Sequence, residues 1–238
     1  MSHNQPRLAN TRKTREPQYQ RCLDLARARG LETLGLMSSQ VWHDDPRRLA
    51  FVLARYKFVA KMLDGRARVA EVGCADAFGT RIVAQAVGRV TAYDFDPVFV
   101  EDAGTRSSHA WPFDVQMHDI LKAPLPRGFD GVYCLDLLEH IPRRREQLFL
   151  THLRQSLRPT GALVVGTPSL ESQAYASPPS KAGHVNCKSG AALARLMRGH
   201  FSNVFLFSMN DEVVHTGFAP MAHYLLAVCT GPLARRGR

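Results

Sequence analysis

No uninterrupted apolar stretch in the 238 residues approaches the roughly 18–20 that a membrane-crossing helix needs. The opening residues, MSHNQPRLANTRKTREPQ, lack the apolar centre of a secretory leader. These two absences make the cytoplasm the expected compartment. The five cysteines, Cys22, Cys74, Cys134, Cys187 and Cys229, are odd in number and include no C-x-x-C pair. They read as reduced thiols, not as a disulfide framework or a zinc ribbon. Internal repeats and low-complexity tracts are missing, and so is any recognisable RNA-binding module or aromatic stacking motif.

The charge is +10, yet much of it sits at the ends: Arg7, Arg12, Lys13 and Arg15 at one, Arg235, Arg236 and Arg238 at the other. The body between is only mildly basic, which does not describe a nucleic-acid groove. With 45% hydrophobic and 22% charged residues, the chain has the composition of an ordinary globular domain.

Residues 1–18 are polar and aperiodic and read as a basic arm, and 232–238 as a basic tail. A weak helical pattern over 19–36 is stopped at Gly30. Asp45-Pro46 is a helix start, and Leu49, Val52, Leu53, Tyr56, Val59, Ala60 and Leu63 then recur on one helical face. From residue 67 the pattern alternates. Strands are predicted at 67–73, 89–94, 114–119, 129–136 and 162–168, with helices at 79–88, 97–104 and about 143–157 between them. That alternation predicts an α/β fold with a mostly parallel sheet covered on both faces. Residues 169–188 are rich in Ser, Pro and Gly and read as a long functional loop. A helix at 189–200 and two closing strands at 203–208 and 223–229, joined by a second long loop over 210–222, complete the chain. The helical part at 19–64 reads as an addition to a domain at 65–231.

Ligands of open α/β sheets bind beyond the carboxyl ends of the strands. Here those ends carry Glu71 and Asp76, Asp94 and Asp96, Asp119, and Asp136. Such a rim repels phosphates and suits a ligand with positive charge and ribose hydroxyls. The turn E71-V-G73-C-A-D-A-F-G79 also fails the dinucleotide fingerprint, because Ala75 and Phe78 stand where glycines would be needed. Asp94 falls where a ribose-binding acid belongs.

Taken in order, EVGCADAFGT, AYDFDP, MHDI, FDGVYCLDLLEHIP and LRPTGALVVGTPS resemble the motifs of the class I S-adenosylmethionine-dependent methyltransferases across roughly residues 65–170. The resemblance implies a Rossmann-like seven-stranded sheet whose last strand is antiparallel, with S-adenosyl-L-methionine as cofactor. By position it implies that Glu71, Gly73, Cys74, Asp76 and Gly79 line the methionine part and the loop. It places Asp94 on the ribose, Phe95 near the adenine, Asp119 at the adenine amino group with a backbone contact from Ile120, and Leu135 with Asp136 beside the sulfonium. Cys74-Ala75 departs from the second glycine of many members, which puts the path of the loop in question.

The segment D136-L-L-E139-H140 is similar to the E-x-x-E-H segment of ubiquinone-biosynthesis O-methyltransferases and of small-RNA 2′-O-methyltransferases. That likeness implies Mg2+ or Mn2+ at Asp136, Glu139 and His140, with His184 as a further ligand by placement alone. The alternative is a histidine that only packs or hydrogen-bonds. His140, and His184 and His215 in the two long loops, are the candidate general bases. The expected function is methyl transfer to a hydroxyl of a small molecule, such as a sugar or natural-product intermediate. Its rivals are RNA methylation and a non-catalytic cofactor-binding relative.

Overall fold

A computed structural model describes residues 13–106 and 110–234. Most of the basic arm and tail, residues 1–12 and 235–238, lie outside the described residues. Of the described residues, those to Leu34 form one compact unit and those from Gly35 another. In the first, a single turn over Pro17–Tyr19 leads into α1 (Gln20–Arg29). Gly30 closes α1 with φ of 77°, its N–H on the Ala26 carbonyl.

The second unit opens with α2 (Leu36–Asp44), which the sequence pattern did not announce. It continues through α3 (Pro46–Met62), capped by the Asp45 side chain on the Arg47 N–H, as the Asp-Pro start predicts. Strands and helices then alternate: β1 (Arg68–Val72), α4 (Thr80–Ala84), β2 (Arg89–Asp94), α5 (Pro97–Gly104), β3 (Phe113–Met117), β4 (Phe129–Leu135), α6 (Glu146–Ser156) and β5 (Leu157–Pro168). The long loop holds α7 (Pro178–Gly183). The chain ends with α8 (Gly190–Arg198), β6 (Phe201–Asn210), β7 (Val213–His215) and β8 (Tyr224–Pro232).

The sheet order is β3-β2-β1-β4-β5-β8-β6-β7. The first five strands run parallel, β8 is antiparallel to β5 and to β6, and β7 is antiparallel to β6. The sheet has eight strands where seven were expected. The extra one is the three-residue β7, a short return inside the loop over 210–222. Strand order reverses between β1 and β4, so the ligand crevice of an open α/β sheet falls beyond their carboxyl ends.

Side chains alternate between the two faces along each strand. Ala70, Val72, Cys134, Leu163 and Val165 face a core closed by Phe149, Leu150 and Leu153 of α6 and by Leu193 and Met197 of α8. Val69, Val90, Tyr133 and Val164 face the other core, closed by Tyr56, Val59 and Leu63 around α3 and Val83 of α4. Strand β5 starts earlier than the pattern predicts. Leu157 pairs with Phe129, the ladder then breaks, and pairing resumes at Ala162 with Gly131. Residues 158–161 are the excursion between. No helix among the described residues is long and apolar enough to cross a membrane.

Candidate active site

The turn after β1 is built on left-handed backbone. Gly73 has φ of 77°, and Ala75 and Ala77 have φ of 46° and 52°. A Cβ in that region costs about 1–2 kcal/mol relative to right-handed backbone, so the two alanines hold a path that suits glycine. Asp94 offsets part of that cost. Its Oδ2 accepts the Ala75 N–H at 2.9 Å and its Oδ1 accepts the Asp96 N–H at 3.0 Å. Phe95 next to it is 67% exposed, free to cover a planar ligand. Asp119 beyond β3 turns its Oδ1 to the Leu121 N–H, and Ile120 is buried.

Two residues expected to line the methionine end are engaged within the fold instead. Asp76 is buried, and its Oδ2 accepts the Ser38 N–H at 2.6 Å while its Oδ1 accepts the Phe78 N–H. It caps the first turn of α2, whose Leu36 N–H goes to Asp102. Gly35 is required there, because a Cβ would stand 2.3 Å from the Asp76 Cβ. Glu71 lies beneath the glycine turn, where its Oε1 accepts from Tyr56 and its Oε2 from Thr80 and Tyr133. Gly79 presses on the Tyr56 ring, where a Cβ would fall 2.3 Å from a ring carbon. Cys74 is buried, and burial pushes its thiol far up, so it carries no thiolate.

Burial raises the Glu71 carboxyl to about 7 against the pull of its three hydroxyl partners. An acid whose native value is raised contributes stability below its unfolded value, near 4.5, that disappears as pH rises to about 7. Relative to Glu71→Gln, the wild type should therefore lose about 3 kcal/mol of unfolding free energy between pH 4.5 and 7. Denaturant unfolding of both proteins across that range measures it; parallel profiles would remove the buried titration.

The end of β4 gathers the reactive groups. Asp136 has φ of 53°, and both its oxygens accept from Arg55 Nη1 of α3, at 2.8 and 2.6 Å. The Arg55 guanidinium lies 3.8 Å from the centroid of the Tyr224 ring, and the Tyr224 hydroxyl receives the Asp136 N–H. Glu139 is fully buried. Its Oε2 accepts from Thr167, and its Oε1 has no hydrogen-bond partner among the described residues. Burial first, then the charge of Asp136, raises the Glu139 carboxyl to about 8. His140 and His184 stack edge to face with centroids 5.2 Å apart. Glu139, His140 and His184 each bring a ligand atom within 4.8 Å of the others.

This differs from the expected ligand set. Asp136 stands outside the three-residue cluster because its carboxylate is committed to Arg55. His184 stands inside it, carried there by the loop of α7. His215 lies on the edge strand β7 with both ring nitrogens engaged, Nε2 by Asn210 at 2.8 Å and Nδ1 by the Gly217 N–H at 3.0 Å. The second long loop does meet the first: Ser169 donates its N–H to the His223 carbonyl and its hydroxyl to the Ala222 carbonyl.

Residues 70–165 match the family model described as a methyltransferase domain. Residues 70–165 thus carry a methyltransferase domain. The chain is 34% identical over 136 residues to a ubiquinone biosynthesis O-methyltransferase of Xanthomonas campestris pv. campestris, covering 56% of this chain and 53% of the relative. It is 29% identical over 153 residues to the protein of that name from Xanthomonas oryzae pv. oryzae, covering 61% and 63%. The chain thus spans less than two thirds of the length of these curated relatives. Among solved structures, the methyltransferase domain of bacterial CtHen1-C superposes with a TM-score of 0.64 at 14% identity, over 77% of this chain and all of that one. The DhpI–SAH complex superposes with a TM-score of 0.60 at 16% identity, over 83% and 92%. These two likenesses concern the fold.

Within this methyltransferase fold, Arg55 and Tyr224 are site residues that the sequence did not reveal. Arg55 looks like one more basic residue on a helix. Its partner Asp136 is 81 positions away, and no local spacing connects them. Tyr224 sits inside an apolar strand pattern, where an aromatic reads as core. A network of buried Asn186 and Lys188 with half-buried Glu146, Lys188 Nζ lying 2.5 Å from Glu146, pins the far end of the long loop, and the Asn186 N–H holds the Glu139 carbonyl.

Proposed function

We propose that the protein transfers the methyl group of S-adenosylmethionine to a hydroxyl oxygen of a small-molecule acceptor. The observation that carries this reading is the juxtaposition, at adjoining strand ends, of a ribose-type acid on the glycine turn and a Glu-His-His cluster. The acceptor oxygen attacks the methyl carbon in line, and the carbon–sulfur bond breaks with its electron pair passing to sulfur. The acceptor proton goes to a base in the cluster. Most of the rate then derives from alignment and the exclusion of water. Asp94 accepts from the ribose hydroxyls, Phe95 and Ile120 flank the adenine, and the glycine turn accommodates the methionine part. His140 and His184 are the candidate bases. The O-methyltransferase names of the relatives support oxygen as the acceptor atom.

The cluster also suits Mg2+ or Mn2+. Its chemistry is a hard carboxylate oxygen with imidazole nitrogens, and the unpartnered buried Oε1 of Glu139 is the kind of atom a cation satisfies. Glu139, His140 and His184 would hold the ion, which would lower the pKa of a bound acceptor hydroxyl.

The test is transfer of labelled methyl from S-adenosylmethionine to hydroxylated aromatics and sugars, with RNA assayed in parallel. Label should enter the small-molecule fraction, fall in EDTA, and return with Mn2+. Full turnover in chelator would reject the ion and leave the histidines as bases. Label in RNA alone, or no calorimetric binding of the cofactor, would overturn the function.

A further inference from the structure

The tautomers of the two clustered histidines follow from what their other nitrogens face. His140 Nδ1 lies 2.9 Å from the Gly183 carbonyl, which can only accept, so Nδ1 carries the proton and Nε2 keeps its lone pair. His184 Nδ1 lies 2.8 Å from Gln173 Oε1. Here the assignment depends on which way the Gln173 amide points. Its nitrogen end donates to the Ser169 carbonyl at 3.2 Å and reaches the Ser172 hydroxyl at 3.4 Å. A carbonyl cannot donate, so the amide oxygen must face the imidazole and His184 must donate from Nδ1. Ser169 in turn is fixed to the end of the sheet through its bonds to Ala222 and His223. Gln173 is therefore a bridge from the strand end to the ring that the loop delivers.

We propose that Gln173 is the positioning residue of the cluster: it fixes His184 as the Nδ1–H tautomer and presents the Nε2 lone pair beside Glu139 and His140. This rests on the cluster being the working site proposed above. It explains why a loop histidine, absent from the D-x-x-E-H segment, stands with the other two. Groups that hold the far nitrogen of a ligating histidine set its ring orientation and basicity, and their loss weakens ion binding by about 10–100-fold.

The experiment uses the full chain and two readouts. In long-range 1H–15N spectra of the ion-free protein with neutral imidazoles, His184 should show the Nδ1–H tautomer in the wild type and in Gln173→Glu, which keeps an acceptor. Gln173→Leu should shift it toward Nε2–H. In Mn2+ titrations followed by electron paramagnetic resonance, Gln173→Leu should raise Kd by about 10–100-fold while Gln173→Glu retains tight binding. Lys181→Ala, which removes only the Lys181 bond to the Ala174 carbonyl in the same loop, should leave both readouts unchanged. Gln173→Leu with the wild-type tautomer and Mn2+ affinity overturns the proposal. So does an equal loss in Lys181→Ala, which would mean that any loosening of the loop suffices. If the wild type takes no Mn2+, the ion reading fails by itself and the tautomer readout still decides the role of Gln173.

Discussion

Glu139→Gln should lower kcat by about 10²–10⁴ while leaving cofactor affinity near the wild-type value. The expectation rests on how unusual this carboxyl is. It has no exposed surface, one oxygen lacks a hydrogen-bond partner among the described residues, and the charge of Asp136 lies near enough to raise it. A purely structural carboxyl would have both oxygens satisfied, as Glu71 does. Glutamine keeps the volume and an oxygen for Thr167 but cannot become an anion. Below about pH 8 the raised carboxyl is itself neutral, as glutamine is, so the exchange should not unfold the protein, and the loss should appear in the chemical step and not in the melting temperature. Wild-type kcat in Glu139→Gln across pH 6–9 would take Glu139 out of the mechanism.

Asp94→Ala should weaken S-adenosylmethionine binding by about 1.5–3 kcal/mol, read by titration calorimetry, because two ribose hydroxyls lose a charged acceptor. The geometry adds a second contribution. The same carboxylate restrains the glycine turn through the Ala75 N–H, so its loss also frees a strained segment. Asp94→Asn separates the two effects. It retains one carbonyl oxygen for a backbone N–H and loses the charge. If the ribose contact dominates, Asn should bind nearly as poorly as Ala; if turn restraint dominates, Asn should recover most of the affinity. Unchanged binding in both would remove the ribose assignment.

The parallel sheet was legible because its strands are buried on both faces and read as short apolar runs between helical segments. Its boundaries were less so. Strand β5 begins at Leu157, before a proline and glycine that look like a terminator, since a ladder can break and resume. Helix α2 is not marked in the sequence because its first turn is capped by Asp76 from a distant turn and by Asp102 from α5, and nothing local marks the start. The strand-end acids were legible as a set by their position along the chain, but sequence cannot say which way each faces. Asp76 and Glu71 turn inward to the protein, whereas Asp136 pairs with a helix far away in the chain. His184 and His215 were equivalent as candidate bases, each a histidine in a long loop, and only analogy of placement set His184 apart as a further ligand. What distinguishes them is that His184 lies beside His140, while His215 closes an edge hairpin with both nitrogens engaged.

The excursion at residues 158–161 bears on where this chain can change length. Because pairing with β4 stops at Leu157 and restarts at Ala162, residues added or removed between them need not rotate the rest of β5. Four residues on, the same edit would be disruptive. A one-residue insertion at Val165 would turn each following side chain to the opposite face. Gly166 would also leave its place against Leu135 and Tyr224, where a Cβ would come within 2.6 Å of both. One strand thus joins a segment open to insertions and deletions with a segment where register governs the wall of the site.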